Sequence, residues 1–186
     1  MAARWVHPEL GAFEYDRLGW VKILKVPAFK SFGYDCGWST APRPPGTIIL
    51  AFEADNEEDL PSSKAVALAY KVLANDAVLV AKVITALWDD FNGRGPDSGT
   101  WWHGDLDLVV EAMETEYRPR GAGDLLDHLH LYCIRVRKRV GDRKRPLVEL
   151  RFHADFEWEH GVGVLTDGKN IRGTGTCCDL RPFEVE

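Results

Sequence analysis

The chain has 186 residues and a formal net charge of −6, and apolar residues make up 45 % of it. This composition is typical of one globular domain, which we expect to comprise residues 1–186. An acidic chain is a poor general nucleic-acid binder, because phosphate binding needs clustered Lys and Arg. No apolar run reaches the roughly 20 residues of a membrane span, and the first residues lack the apolar segment of a secretory signal. We therefore expect a cytoplasmic protein that binds neither nucleic acid nor a membrane.

The first third of the chain predicts β-structure. Residues Phe13–Tyr15 and Trp20–Val26 read as two strands, joined by a tight turn at Asp16–Gly19 that has Asp first and Gly last. A proline-rich loop then leads to Thr47–Glu53, a short β-branched run that is typical of a buried strand.

The middle of the chain changes to a helical period. Acidic residues lead into Pro61, and apolar residues then recur every three or four positions as far as Phe91, which predicts one buried helical face. Asn75-Asp76 interrupts this pattern, because both residues favour caps over helix interiors. The sequence is therefore compatible with one bent helix or with two helices that meet at Asn75. Leu106–Glu116 is compatible with a further short helix.

The last third alternates again. "LHLYCIRVRKRV" and "LVELRFHADFEW" predict two antiparallel strands whose apolar faces must coincide, so that Ile134 lies near Leu150 and Arg135 near Glu149. A third strand, "VGVL", is expected after a bend, and Asp167-Gly168 predicts a hairpin after it. The whole pattern predicts an α+β fold, in which an antiparallel sheet with an N-terminal hairpin and a C-terminal meander packs against the central helices.

Glu159-His160-Gly161 raises the question of an active site. Glu159 and His160 are weak candidates for an acid/base pair or for metal ligands. The favoured interpretation is a bulged turn, because Gly161 can supply a positive φ and adjacent strand side chains point to opposite faces.

Two further groups are weak candidates for metal binding. Asp155 and Glu157 are predicted to share a polar strand face with His153, but opposing arginines would neutralise this row as an exposed ion-pair ladder. His128-x-His130 has ligand spacing, yet strand parity places His130 on the apolar face, away from His153. We therefore expect no metal and no cofactor.

The loop "GPDSGTWWHGDLD" is the best candidate for surface function. Trp101, Trp102, His103 and Asp105 combine interface-forming aromatic rings with polar groups, which favours the binding of a partner or a small ligand. The more common outcome for such a pair is that both Trp side chains cap the core under a long loop. The four cysteines lack C-x-x-C spacing, and we expect reduced thiols, including the vicinal pair Cys177-Cys178.

The C-terminal stretch "FEWEHGVGVL", followed by Asp167-Gly168, resembles a group of bacterial domains of unknown function. These typically end in W-(D/E)-x-E-H-G-(L/V)-G-(V/I) and a D-G hairpin, and they open with a G-x-x-x-x-D-x-x-x-W hairpin, here Gly11, Asp16 and Trp20. Some relatives look like immunity or accessory proteins of bacterial toxin systems. The resemblance thus implies a non-enzymatic protein-binding domain. The alternatives are a metal-dependent or acid/base enzyme that uses Glu159 and His160, and a small-ligand binder. The sequence contains no signal for an oligomeric state.

Overall fold

The computed structural model of the chain describes residues 3–27, 29, 32, 47–74, 76–94, 120–140, 145–155 and 157–183. Eight strands form one sheet in which every strand pairs with its neighbours in chain order. The strands are β1 (Arg4–His7), β2 (Gly11–Asp16), β3 (Gly19–Lys25), β4 (Thr47–Phe52), β5 (Leu129–Arg137), β6 (Leu147–Ala154), β7 (Glu157–Thr166) and β8 (Ile171–Thr176). The helices are α1 (Ser63–Ala74), α2 (Asp76–Phe91) and α3 (Ala122–Leu126). The predicted α+β fold is confirmed, with both the N-terminal hairpin and the C-terminal meander.

One strand pair departs from the antiparallel pattern. β4 and β5 run parallel, with Ile49 opposite Cys133 and Ala51 opposite Arg135, whereas all the other pairs are antiparallel. Parallel strands need a long crossover connection, and the chain between β4 and β5 carries the three helices of the described residues.

The predicted helical region forms two helices, since α1 ends at Ala74 and α2 begins at Asp76. Of the two alternatives, the structure therefore has two helices and not one bent helix. The first helix begins at Ser63, where the Ser62 hydroxyl accepts a hydrogen bond from the Ala65 N–H, as an N-cap side chain does. The helix predicted at Leu106–Glu116 lies outside the described residues. Within the described ranges, no helix is long and apolar enough to cross a membrane.

The core lies between the helices and one face of the sheet. α1 packs on β5 and β6, and α2 packs on β8. At the N-terminal end an aromatic cluster extends this core, with the Trp5 ring centroid 4.8 Å from that of Phe13 and 5.7 Å from that of Phe52. Trp20 is buried beside them, and its indole N–H donates to the Asp59 carbonyl at 3.0 Å. This cluster ties the N-terminal hairpin to the segment that precedes α1.

The expected turn at Glu159-His160-Gly161 is wrong. β6 ends at Ala154, and these three residues lie inside β7, which pairs Glu157 with Ala154. The predicted strand through Trp158 was too long, because the chain already turns at Asp155. Gly161 does have the expected positive φ, at 68°, but it lies beside a register shift between β6 and β7 and not in a turn. The two strands approach closely there, since an added Cβ would lie 2.4 Å from the Phe152 carbonyl oxygen.

The predicted separation of the histidines is also wrong. An irregularity between Leu131 and Cys133 shifts the register of β5 against β6, and it places His130 directly opposite His153. Strict alternation cannot anticipate such a bulge, which changes the parity of every residue beyond it. Downstream of the bulge the predicted pairs Ile134–Leu150 and Arg135–Glu149 are confirmed.

Gly19 provides a test of the hairpin geometry. Its φ is +105°, and an added Cβ would lie 2.1 Å from the Phe52 carbonyl oxygen. Gly19→Ala should therefore lower the free energy of unfolding by about 2–4 kcal/mol in denaturant titration, through strain and the clash with a backbone atom. Gly123→Ala is the matched control, because its added Cβ meets nothing within 4 Å inside α3, and it should raise stability by up to about 1 kcal/mol. Equal effects of the two substitutions would contradict this geometry.

Candidate functional site

The face of the sheet opposite the helices, which we call the open face, carries charged side chains at its centre. Along β5 and β6 the core residues alternate with residues that point to this face. We call these the charged cluster: Glu53, Arg135, Arg137, Glu149 and Arg151. Glu53 follows directly after β4, so that three neighbouring strands bring these five side chains together.

Glu53 and Glu149 link the three arginines of the charged cluster. The Arg135 guanidinium donates to Glu53 Oε1 at 3.1 Å, and Glu53 Oε2 accepts the Lys138 backbone N–H at 2.9 Å. Arg137 Nε lies 3.9 Å from an oxygen of each carboxylate. Arg151 Nε lies 3.3 Å from Glu149 Oε1. Several of these contacts are longer than good hydrogen bonds.

Glu149 is the buried centre of the charged cluster. Its side chain is 2 % exposed, whereas those of the three arginines are 19–25 % exposed. Burial raises the pKa of Glu149, and the guanidinium groups of Arg151, Arg137 and Arg135 act in the opposite direction. The ion pairs of these arginines go to Glu53 and Glu149, so the exposed ladder predicted between them and the row of Asp155 and Glu157 is wrong.

Polar atoms of the charged cluster remain unsatisfied. Glu149 Oε2 and the Nε atoms of Arg135, Arg137 and Arg151 are buried and make no hydrogen bond within the described part of the chain. Buried polar groups in folded proteins usually have partners, and each one without a partner costs about 1–3 kcal/mol. These buried polar atoms therefore make the charged cluster costly to fold.

The C-terminal segment covers one end of the open face. Leu180 is buried with Val140, Leu147 and Leu165, and it packs so closely on Gly163 that an added Cβ there would lie 2.6 Å from Leu180 Cδ2. This small second core closes the face over β7.

Cys177 anchors the same segment beside the charged cluster. Its thiol is hydrogen-bonded to the side chains of Arg151 and Tyr132. Burial raises the pKa of Cys177 to about 11 and that of Cys133 to about 12. The three described cysteines are free, and only Cys178 is exposed. Cys177 is therefore suited to holding the segment in place rather than to nucleophilic chemistry.

The opposite end of the open face carries exposed apolar side chains. Ile23 on β3 is 56 % exposed and lies opposite the half-buried Ile49, which in turn lies beside Cys133. Val6 on β1 is 61 % exposed on the same face. We call Val6, Val21, Ile23 and Ile49 the apolar patch, and it adjoins the charged cluster.

The structure brings Asp155 to the two nearby histidines. One carboxylate oxygen lies 3.1 Å from His128 Nδ1 and the other lies 3.4 Å from His130 Nε2. His153 is not isolated from them, because it pairs with His130 and its ring stacks on Tyr132 at 4.2 Å. Even so, no group of three or more His, Cys, Asp or Glu side chains among the described residues is arranged to hold a metal ion.

The weak candidates on β7 lie at the surface. His160 donates its backbone N–H to Glu157 Oε1 at 3.1 Å, and its ring Nδ1 lies 3.4 Å from the same oxygen. Glu159 is 68 % exposed and lies 3.9 Å from His160 Nε2. Trp101, Trp102, His103 and Asp105 lie outside the described residues, so the binding role expected for that loop stays a prediction.

Sequence reasoning found the Arg135–Glu149 pair but missed Arg151 and Cys177 as members of one buried network. The register signal was available, because a correct antiparallel pairing places Arg151 beside Cys133.

Comparison of the chain with known protein families, curated proteins and solved structures found no match.

The raised pKa of Glu149 predicts how its contribution to stability depends on pH. Because the folded-state pKa lies above the ordinary value of 4.5, ionised Glu149 disfavours the folded state, and stability is lost as pH rises from about 4.5 through the folded pKa. Between pH 4.5 and pH 7, the free energy of unfolding of the wild type should therefore fall relative to that of Glu149→Gln. Urea titration at each pH measures both values. A shift in favour of the wild type would show that the arginines outweigh burial.

The two vicinal thiols should differ in reactivity. At neutral pH, iodoacetamide should alkylate Cys178 in the folded protein at least about tenfold faster than Cys177, because burial and a raised pKa suppress the Cys177 thiolate. Peptide mapping by mass spectrometry separates the sites, and unfolding in urea should abolish the difference. Equal rates in the folded protein would contradict the anchoring role of Cys177.

Proposed function

We propose that this chain is a non-enzymatic protein-binding domain that engages its partner through the open face. The observation that carries the proposal is the apolar patch, with Ile23 56 % exposed, directly beside the charged cluster. Apolar side chains next to arginines are the usual composition of a protein interface, in which Arg and large apolar residues provide much of the binding energy.

The charge of the open face favours a protein over other macromolecules. In the charged cluster three arginines stand against two glutamates, Glu53 and Glu149, so the surface is nearly balanced. Nucleic acid and anionic lipid surfaces instead select strongly cationic surfaces. A protein partner can offer acceptors to the partly exposed guanidinium groups of Arg135, Arg137 and Arg151.

We further propose that the partner is basic and that the chain acts in the cytoplasm as an immunity- or accessory-type protein. The net charge of −6 favours association with a partner of opposite charge through long-range steering. The C-terminal resemblance to domains associated with bacterial toxin systems supports the same role. The free thiols of Cys133, Cys177 and Cys178 agree with a reducing compartment.

A pair of substitutions tests this surface. Ile23→Glu places a charge in the apolar patch, whereas Val78→Glu places one on an equally exposed apolar residue of α2, at 65 % exposure. In affinity capture from the native host, we expect one protein to bind stoichiometrically to the wild type and to Val78→Glu. Ile23→Glu should bind it at least about tenfold more weakly, as loss of an interface anchor does.

Circular dichroism and the thermal midpoint should confirm that both variants remain folded. Equal capture by both variants, loss of capture only with Val78→Glu, or the absence of any stoichiometric partner would contradict the proposal.

A further inference from the structure

A cavity of about 560 Å³ lies between α2 and β8, the last strand of the sheet. Its α2 side carries the small residues Ala81 and Ala86, and its other side carries Ile171 and the aromatic ring of Phe183. This volume, and a mainly apolar lining with a few polar groups, are typical of small-molecule sites. The cavity lies on the helix side of the sheet, away from the open face.

Two hydrogen bonds hold the walls of the cavity in place. Lys82 Nζ donates to the Lys169 carbonyl, which fixes α2 against the turn that precedes β8. The Phe183 backbone N–H donates to the Arg172 carbonyl at 2.6 Å, which fixes the C-terminal segment along the edge of β8. The cavity is thus a product of the fold rather than a gap between unconnected side chains.

Thr174 gives the cavity a buried polar group that the described residues leave without a hydrogen bond. Thr174 is 3 % exposed and lines the cavity. Its hydroxyl makes no hydrogen bond within the described part of the chain. Valine has nearly the same shape and would occupy this position without leaving a buried hydroxyl unsatisfied. The threonine therefore points to a molecule that supplies the missing hydrogen bond.

The charges around the cavity define the kind of molecule. Asp89 and Arg94 at one end neutralise each other at 3.2 Å, which leaves the ammonium group of Lys82 as the excess charge of the described lining. The side chains from Ala81 to Asp89 extend over about 12 Å, given the rise of an α-helix. A ring that fits between α2 and β8 would contact Phe183, and aromatic pairs add to the gain from apolar burial.

We propose that this cavity binds a small aromatic monocarboxylate, with its ring beside Ile171 and Phe183, its carboxylate at Lys82 and one hydrogen bond to the Thr174 hydroxyl. This site is independent of the partner surface on the open face.

The first test uses benzoate, 4-hydroxybenzoate and 1-naphthoate as probes with the full chain. Titration is followed by the NMR shifts of the Ile171 and Thr174 methyl groups. At least one probe should bind with a dissociation constant below about 1 mM. Benzamide, which has the ring without the charge, should bind at least about tenfold more weakly than benzoate. The absence of a saturable shift with all three acids, or equal binding of benzamide, would overturn the proposal.

Variants locate the binding within the cavity. Ala86→Leu fills the cavity without removing a polar group and should abolish binding, whereas Ala77→Leu, at an exposed position of the same helix, should leave it unchanged. Lys82→Met should weaken the binding of the acids by at least about tenfold more than it weakens that of benzamide, because benzamide senses only the lost wall contact whereas the acids also lose the charge. Undiminished binding by Ala86→Leu would place the probes elsewhere and overturn the proposal.

Thr174→Val separates the hydroxyl from the shape of the side chain. Without ligand, this variant should melt about 2–4 °C higher than the wild type, because an unsatisfied buried hydroxyl is removed. It should nevertheless bind the acids at least about tenfold more weakly. A lower melting temperature would show that the hydroxyl already has a partner in the folded protein, and it would contradict the role proposed for Thr174.

Discussion

β4 and β5 run parallel in the middle of the sheet, and two parallel strands cannot be joined by a tight turn. The chain that leaves β4 must return along one face of the sheet before it can enter β5. This crossover connection carries α1, α2 and α3. α1 packs on β5 and β6 and α2 packs on β8, so the helices cover one face of the sheet. The apolar side chains of that face form the main core, and the opposite face must be stabilised by other means.

The open face meets this requirement differently at its two ends. Over β7 the C-terminal segment supplies a cover of its own, in which Leu180 fills the space above Gly163 and Cys177 is held by Arg151 and Tyr132. Over β3 and β4 the apolar side chain of Ile23 remains exposed. Between these ends the charged cluster buries Glu149 at an energetic cost, since unsatisfied polar atoms and a raised carboxylate pKa both oppose folding.

Local patterns predicted the parts of the fold that depend on local physics. The Asp16–Gly19 turn, the break in the helical region beside Asn75 and the pairing of Arg135 with Glu149 all follow from neighbouring residues and strand parity. The parallel β4–β5 pair was not predictable in this way, because it joins segments separated by the whole crossover. The bulges near Leu131 and Gly161 also escaped prediction, since one extra residue reverses the parity on which the argument for His130 rested.

The candidate functional residues divide in the same way, into those that local sequence patterns indicate and those that they do not. The sequence indicated Glu159 and His160 because their residue types are chemically versatile, but they lie on the exposed surface of β7. Glu149 drew less attention because alternation assigns it to a polar face, and alternation does not distinguish an exposed side chain from one enclosed by three arginines. Thr174 carried no sequence signal, because a threonine in a strand is ordinary until its hydroxyl is found without a partner.

The proposed binding role requires that the open face be accessible between β3 and β5. Hydroxyl-radical footprinting of the free protein, read by mass spectrometry, compares Ile23 with Ile48, which lie on adjacent strands but point to opposite faces. We predict rapid modification of Ile23, strong protection of Ile48 and an intermediate rate for Ile49. Protection of Ile23 equal to that of Ile48 would show that the open face is covered and would contradict the binding role proposed for it.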